Sequence, residues 1–342
     1  MPHKLRAAII GFGGMGQRHY KAYENTGADV VAIADIQNTK VPGILPNFPE
    51  EHIYKHYSDL LKNEEIDILS VVTNGPTHAE VTIKASDSGV KNILCEKPFG
   101  TNIAEAKRAI EVCQSNNTRL AVNHIRRWSP DYLELKRMIN QGCIGDVRHL
   151  YFSCGSTGLG NFAIHFFDTA RFLTDSDPSF VLGLLDKTAT RNPRGEQFVD
   201  PGGYGIIQFK NGVRFFIDTS EDTGVQYSFQ IVGTYGRVII DELNDSWQIR
   251  ARSDNNKKEP LTRYGTDMSP VPFRNQEKFD IVTLTHRALA EMCSGGPISS
   301  SGVDGLKSLE MVIGFHLSDD FGNKRVDFPL PPAAYEKTVN IA

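Results

Sequence analysis

The feature that most constrains this chain is a regular alternation through residues 1–125. Short apolar runs rich in β-branched residues fall at 7–10, 29–34, 66–73, 92–95 and 120–123. Segments with helical periodicity separate most of them, at 14–26, 78–89 and 103–116. Strands alternating with helices build βαβ units, and these pair into a parallel sheet. Right-handed crossovers put helices on both faces of such a sheet, which fits the uninterrupted apolar character of its strands. The prediction for this part is an α/β, doubly wound domain.

After residue 125 the pattern changes, and residues 126–342 read as a second domain. A helix is predicted over 130–141 with Gly142 as its C-cap, then a strand over 147–154 and a helix over 162–173. Strand-like runs follow at 203–209, 213–219, 227–232, 237–241 and 246–252. Two of their links, Lys210-Asn211-Gly212 and Gly233-Thr234-Tyr235-Gly236, carry turn residues, which makes the strands antiparallel. Residues 253–275 are polar, contain proline and read as loop, and helices over 276–294 and 303–321 close the domain. The second part is thus an α+β domain with a large, mostly antiparallel open sheet. A bare sheet face is an apolar liability, so a homodimer or homotetramer is expected.

Charge and cysteine usage exclude several classes. The balance of 37 Lys and Arg against 41 Asp and Glu leaves a net charge of −4, so a nucleic-acid partner is not expected. No apolar run approaches the ~20 residues that span a bilayer, and the first residues lack the apolar core of a secretory signal. The five cysteines are scattered and never in Cys-x-x-Cys spacing, which argues against a disulfide framework or a metal site and for a reduced, cytoplasmic setting.

Residues Gly11-Phe12-Gly13-Gly14-Met15-Gly16 spell G-x-G-x-x-G directly after the first strand and at the start of a helix. In that context the first glycine permits a tight turn, the second admits a pyrophosphate to the backbone, and the third lets helix and strand pack. The helix N-terminus then offers unpaired N–H groups to phosphate. Asp35 ends the second strand, 19 residues past Gly16, close to where a carboxylate holds the adenosine ribose. That carboxylate repels a 2′-phosphate, and Ile36-Gln37-Asn38 bring no cation, so NAD is expected over NADP.

With Cys95-Glu96-Lys97-Pro98 at the end of the fourth strand, the chain resembles the glucose–fructose oxidoreductase/inositol dehydrogenase/MocA family. The turn Thr73-Asn74-Gly75-Pro76, the Arg126-Arg127-Trp128 stretch and a helix bearing His165 and Asp168 carry the likeness along essentially the whole chain. It implies a Rossmann domain, a substrate domain, and NAD(P)-linked oxidation or reduction of sugars, cyclitols or their derivatives, including nucleotide-linked sugars. It further implies that Lys97 stabilises the substrate oxyanion, that His165 accepts the hydroxyl proton, and that Glu96 orients the cofactor. Thr73, Asn74 and His78 would lie on the cofactor side. Independently, Lys97 sits where open α/β sheets bind ligands, beyond the carboxyl ends of the strands.

Asn161, His165 and Asp168 share one face of their predicted helix, and from pattern alone His165 reads equally as a buried histidine satisfied by Asp168. Asn123 and Arg127 are further candidates for substrate contact, or for links within the core. Two departures from the family stand out: Asn161 where an aspartate is usual, and a glycine-rich approach over 155–160. They keep two alternatives in view, an NAD-binding sensor without catalysis and a reductase of a non-sugar substrate.

Overall fold

The computed structural model describes residues 4–155, 158–188, 192, 194–263 and 265–342. Two compact units emerge from the packing: residues 1–128, 280–309 and 335–342 in the first, and 129–279 and 310–334 in the second.

The first unit runs β1 (Leu5–Ile10), α1 (Gly14–Ala22), β2 (Ala28–Ala34), α2 (Val41–Ile44), β3 (Ile53–Tyr54), α3 (Tyr57–Asn63), β4 (Ile68–Val71), α4 (Gly75–Asp87), β5 (Asn92–Cys95), α5 (Ile103–Ser115) and β6 (Arg119–Val122). The strands form a parallel sheet in the order β3-β2-β1-β4-β5-β6, the doubly wound order predicted. Ala7, Ile9, Ile33, Ile68, Leu94 and Ala121 are buried on it. Each strand end relevant to chemistry therefore points the same way: Gly11 follows β1, Asp35 β2, Thr73 β4, Glu96 β5 and Asn123 β6. The sequence does not announce β3 and α3, because a two-residue strand and a polar seven-residue helix carry no period.

The second unit begins with α6 (Pro130–Asn140) and β7 (Val147–Ser153), and Gly142 past α6 has a φ of 79°, as a C-terminal cap requires. A π-helical turn, Leu159–Ala163, then leads into α7 (Ile164–Thr174). The predicted helix over 162–173 thus has its first residues in a wider turn. The remaining strands are β8 (Pro178–Leu185), β9 (Gly203–Phe209), β10 (Arg214–Asp218), β11 (Ser228–Gly233), β12 (Gly236–Asp241), β13 (Ser246–Ala251) and β14 (Ser269–Val271). After α8 (Ile281–Ser294) and α9 (Gly302–Asp320), β15 (Val326–Asp327) closes the sheet, whose order is β14-β13-β12-β11-β7-β10-β9-β8-β15. Among the described residues of this sheet, only β10 and β7 pair in parallel. β14 lies in the stretch predicted as loop, and β8 was not foreseen, since its apolar residues do not alternate.

Residues 280–309 and 335–342 pack with the first unit, whereas the sequence places them with the second domain. The cause is apolar burial. Ala288, Leu289 and Met292 of α8 join Ala22, Tyr23 and Trp128 in one core, and Arg119 donates to the carbonyls of Met292 and Gly296. The tail is held by Thr101, whose carbonyl accepts from Val339.

In the second unit's sheet one face is core: Leu150, Phe152, Phe215, Ile217, Phe229 and Ile231 are buried. Across the other face the register aligns Leu182, Ile206, Phe216, Tyr151, Gln230, Ile239 and Gln248 in one row. Tyr151, Leu182 and Tyr204 there are exposed.

Candidate active site

The three motif glycines answer to three different demands. Gly11 has a φ of 94°, and a Cβ on it would lie 2.4 Å from the Val72 carbonyl oxygen. At Gly16 a Cβ would lie 2.2 Å from the Gly11 carbonyl oxygen, so helix and turn could not close. At Gly13 and Gly14 it would meet nothing within 4 Å. Beside these two the space is open, which lets a phosphate approach the backbone. Among the described residues no side chain caps α1, which leaves its first N–H groups for an anion.

Asp35 ties this loop to β2. Its Oδ2 accepts from the Phe12 N–H at 2.6 Å and its Oδ1 from the Gln37 N–H at 2.7 Å. Around it lies a cavity of about 550 Å³ that includes Gly11, Phe12, Gly13, Asp35, Thr73 and Asn74 in its wall. Lys40, Lys55 and Tyr57 also line it; they stand well past the strand end and carry no sequence signal. Gly14, Met15 and Gly16 continue into α1. An open glycine cradle, a helix N-terminus and a strand-end carboxylate on one cavity fit a dinucleotide.

At the end of β5, Glu96 and Lys97 are both buried, 6% and 8% exposed, and the Lys97–Pro98 peptide is cis. Glu96 Oε1 accepts from Asn123 Nδ2 at 2.7 Å and lies 3.0 Å from His19 Nε2; its Oε2 faces the Lys97 N–H at 3.3 Å. Burial pushes this carboxyl up, but His19, Asn123 and Lys97 outweigh it and bring it down from the ordinary 4.5 to about 2. In the sequence nothing marks His19 apart from its place one turn past Gly16.

His78 is 1% exposed and set between the carbonyls of Pro98 and Thr73, at 2.7 and 2.8 Å. It braces two turns of the site instead of lining the cavity. Burial lowers its tendency to hold a proton, more than the two carbonyls raise it. Asn123, a candidate for substrate contact, holds Glu96 and reaches Thr285 at 3.3 Å. Arg127 pairs with Asp304 at 3.0 Å and donates to the Ser299 carbonyl, so its charge is engaged inside the first unit.

In the second unit, the π-helical turn carries Asn161, and α7 carries His165 and Asp168. Such turns often mark functional positions. The Asp200 carboxylate anchors this turn, accepting from the Gly160 and Asn161 N–H groups at 2.9 and 2.6 Å. Nothing in the sequence signals it, since the partners are 39 residues or more apart. Ser156 and Thr157 of the glycine-rich approach lie outside the described residues. His165 is half-buried, with the Phe162 ring edge-on at 6.2 Å. Asp168 is fully buried and has Arg171 4.0 Å away. Among the described residues no cluster of His, Cys, Asp or Glu is arranged to hold a metal ion, and no helix is long and apolar enough to cross a membrane.

The doubly wound sheet and its glycine cradle define the first unit as a dinucleotide-binding domain. Comparison with known proteins narrows this. A family model described as an oxidoreductase family with an NAD-binding Rossmann fold matches residues 5–124, and its C-terminal α/β partner matches 148–327. The chain belongs to the glucose–fructose oxidoreductase/inositol dehydrogenase/MocA family of oxidoreductases. Inositol 2-dehydrogenase of Salmonella typhimurium is 32% identical over 145 residues, 41% of this chain and 43% of that protein, so the match spans under half of the relative's length. The NAD(+)-dependent scyllo-inositol 2-dehydrogenase of Bacillus subtilis is 27% identical over 263 residues, 71% of this chain and 75% of that one. Among solved structures, levoglucosan dehydrogenase in complex with NADH and levoglucosan superposes with a TM-score of 0.80 at 20% identity, covering 95% of this chain and 100% of that one. At that identity the likeness is one of fold.

Proposed function

We propose that this protein is an NAD-dependent dehydrogenase that oxidises a secondary hydroxyl of a sugar, cyclitol or nucleotide-linked sugar, or reduces the corresponding ketone. The observation that carries the reading is the Glu96-Lys97 pair at the end of β5, in the same domain as a glycine loop that leaves open space at a helix N-terminus. Gly13, Gly14, Asp35, Thr73 and Asn74 hold the cofactor. Bound there, the nicotinamide supplies the hydride acceptor or donor.

The remaining steps belong to side chains. The Lys97 ammonium stabilises the oxygen as its negative charge develops, and His165 takes the hydroxyl proton. Asn161 and Asp168 contribute to holding the substrate, and Asn161 does so as a neutral hydrogen-bonding group because an amide cannot act as a base. Asp35 favours NAD over NADP by repelling a 2′-phosphate. The open sheet face, with its row through Phe216 and Tyr151, serves a homodimer or homotetramer. A cytoplasmic location agrees with the five free cysteines.

The test mixes the protein and NAD with free hexoses, inositols, levoglucosan and nucleotide-linked sugars, following nicotinamide reduction by absorbance. Lys97→Ala runs alongside. Turnover on one class, reduced by about 10³-fold or more in Lys97→Ala with NAD affinity kept, is the expected result. Silence across the panel with NAD binding intact favours the sensor, and equal turnover in Lys97→Ala removes Lys97 from the chemistry.

A further inference from the structure

Glu96 is the end of a longer chain of buried side chains. The Tyr23 hydroxyl lies 2.9 Å from Ser70 Oγ, Ser70 Oγ lies 3.1 Å from His19 Nδ1, and His19 Nε2 lies 3.0 Å from Glu96 Oε1. Asn123 reaches the same oxygen from β6 while also contacting Thr285 of α8. Tyr23, Ser70, His19, Asn123 and Thr285 are all 2% exposed or less. An ionised carboxylate only accepts, so His19 Nε2 carries the hydrogen in that bond. Ser70 Oγ bridges His19 Nδ1 and the Tyr23 hydroxyl, so the back of the imidazole is also held. Burial raises the Tyr23 phenol, which keeps it a donor. The buried bonds form one continuous chain that ends on Glu96.

The elements joined are informative. His19 and Tyr23 belong to α1 and its C-terminal end, the helix that opens on the glycine cradle, while Glu96 directly precedes Lys97, whose N–H faces its Oε2. We infer that His19 is a positioning residue for Lys97: with Ser70 and Tyr23 behind it, it fixes the Glu96 carboxylate beside the reactive lysine and couples that lysine to the cofactor helix. This rests on the catalytic reading of Lys97 given above. A purely structural polar core would not need an anion at its end, and burying an unpaired one is costly. Lys97, His78 and Cys95 are the other titratable groups that feel the Glu96 charge.

Three variants and two readouts test it. In His19→Leu the carboxylate loses its main partner, burial prevails, and Glu96 takes up a proton. Infrared difference spectra at neutral pH then show a protonated-carboxyl band that vanishes in His19→Leu/Glu96→Gln. Turnover on the active panel substrate falls roughly 10²-fold, the scale of a misplaced catalytic group, with the KM for NAD unchanged. His19→Gln, which keeps an N–H, recovers most of the loss and lacks the band. If His19→Leu does not fold, Ser70→Ala, which cuts the chain one link further back, is read in the same two ways with smaller effects. A wild-type spectrum and wild-type kcat in His19→Leu overturn the inference, as does a fall in KM-linked binding alone. Lys97→Ala with undiminished turnover would instead refute the catalytic reading, and the infrared band would still decide whether His19 holds Glu96 ionised.

Discussion

The two units solve the problem of a sheet in opposite ways. The parallel sheet of the first is covered on both faces, and its polar chemistry sits at strand ends or is threaded through the core as the Tyr23–Ser70–His19–Glu96 chain. The mixed sheet of the second is covered on one face and presents Tyr151, Leu182 and Tyr204 on the other. Parallel strands need helical crossovers, and these cover both faces; hairpin-linked strands do not. The first unit therefore gathers its polar groups at one end of the sheet, while the second leaves part of a sheet face exposed.

Placing a charge on each sheet breaks the comparison most severely. Ile9→Glu, in the centre of the first sheet, should destabilise by about 4 kcal/mol or more and leave little folded protein, as burying an unpaired carboxylate does. Phe216→Glu, on the open face of the second, should leave the thermal transition within a few degrees of wild type and shift the sedimentation profile to smaller species. Equal losses in the two would mean that the second face is core as well.

Glycines sharpen the contrast within the first unit. Gly11→Ala and Gly16→Ala meet backbone at 2.4 and 2.2 Å and should cost about 3 kcal/mol each in denaturant unfolding. Gly13→Ala meets nothing and should unfold like wild type, yet bind NAD more weakly.

Acid provides a third test. Glu96, held down from 4.5 to about 2, contributes stability that is present in full above 4.5 and lost as pH falls through that window. Unfolding followed from pH 5 downward should steepen there, and Glu96→Gln should flatten that part of the curve. The smallest effect concerns cofactor choice. Asp35→Ala should weaken NAD about tenfold while narrowing the preference over NADP, because Lys40 and Lys55 already line the cavity. Unchanged discrimination would remove Asp35 from that role.

Much of this was legible in the sequence, for identifiable reasons. Alternating periods and the glycine spacing gave the doubly wound sheet, and Asn92–Cys95 and Gly203–Phe209 match their strands residue for residue. What failed was long-range or too short to have a period. β8 hides in Pro178–Leu185 because its burial does not alternate, and α8 looked like part of the second domain until its apolar side met Ala22 and Trp128. The motif residues of the site were visible, whereas His19, Ser70 and Asp200 were not. A histidine on a helix or an aspartate in a loop becomes informative only when its partner, 77 residues away for His19 and Glu96, is known.

The proposed function divides the labour, with cofactor binding in the first unit and a proton-accepting His165 in the second. Calorimetric titration of NAD into wild type, Gly13→Val and His165→Ala tests it directly. Gly13→Val should weaken NAD by roughly 10²-fold without loss of folding, because a side chain there would occupy the space open to a pyrophosphate. His165→Ala should bind NAD as wild type does while losing turnover. Wild-type affinity in Gly13→Val, or equal weakening in both variants, would contradict it.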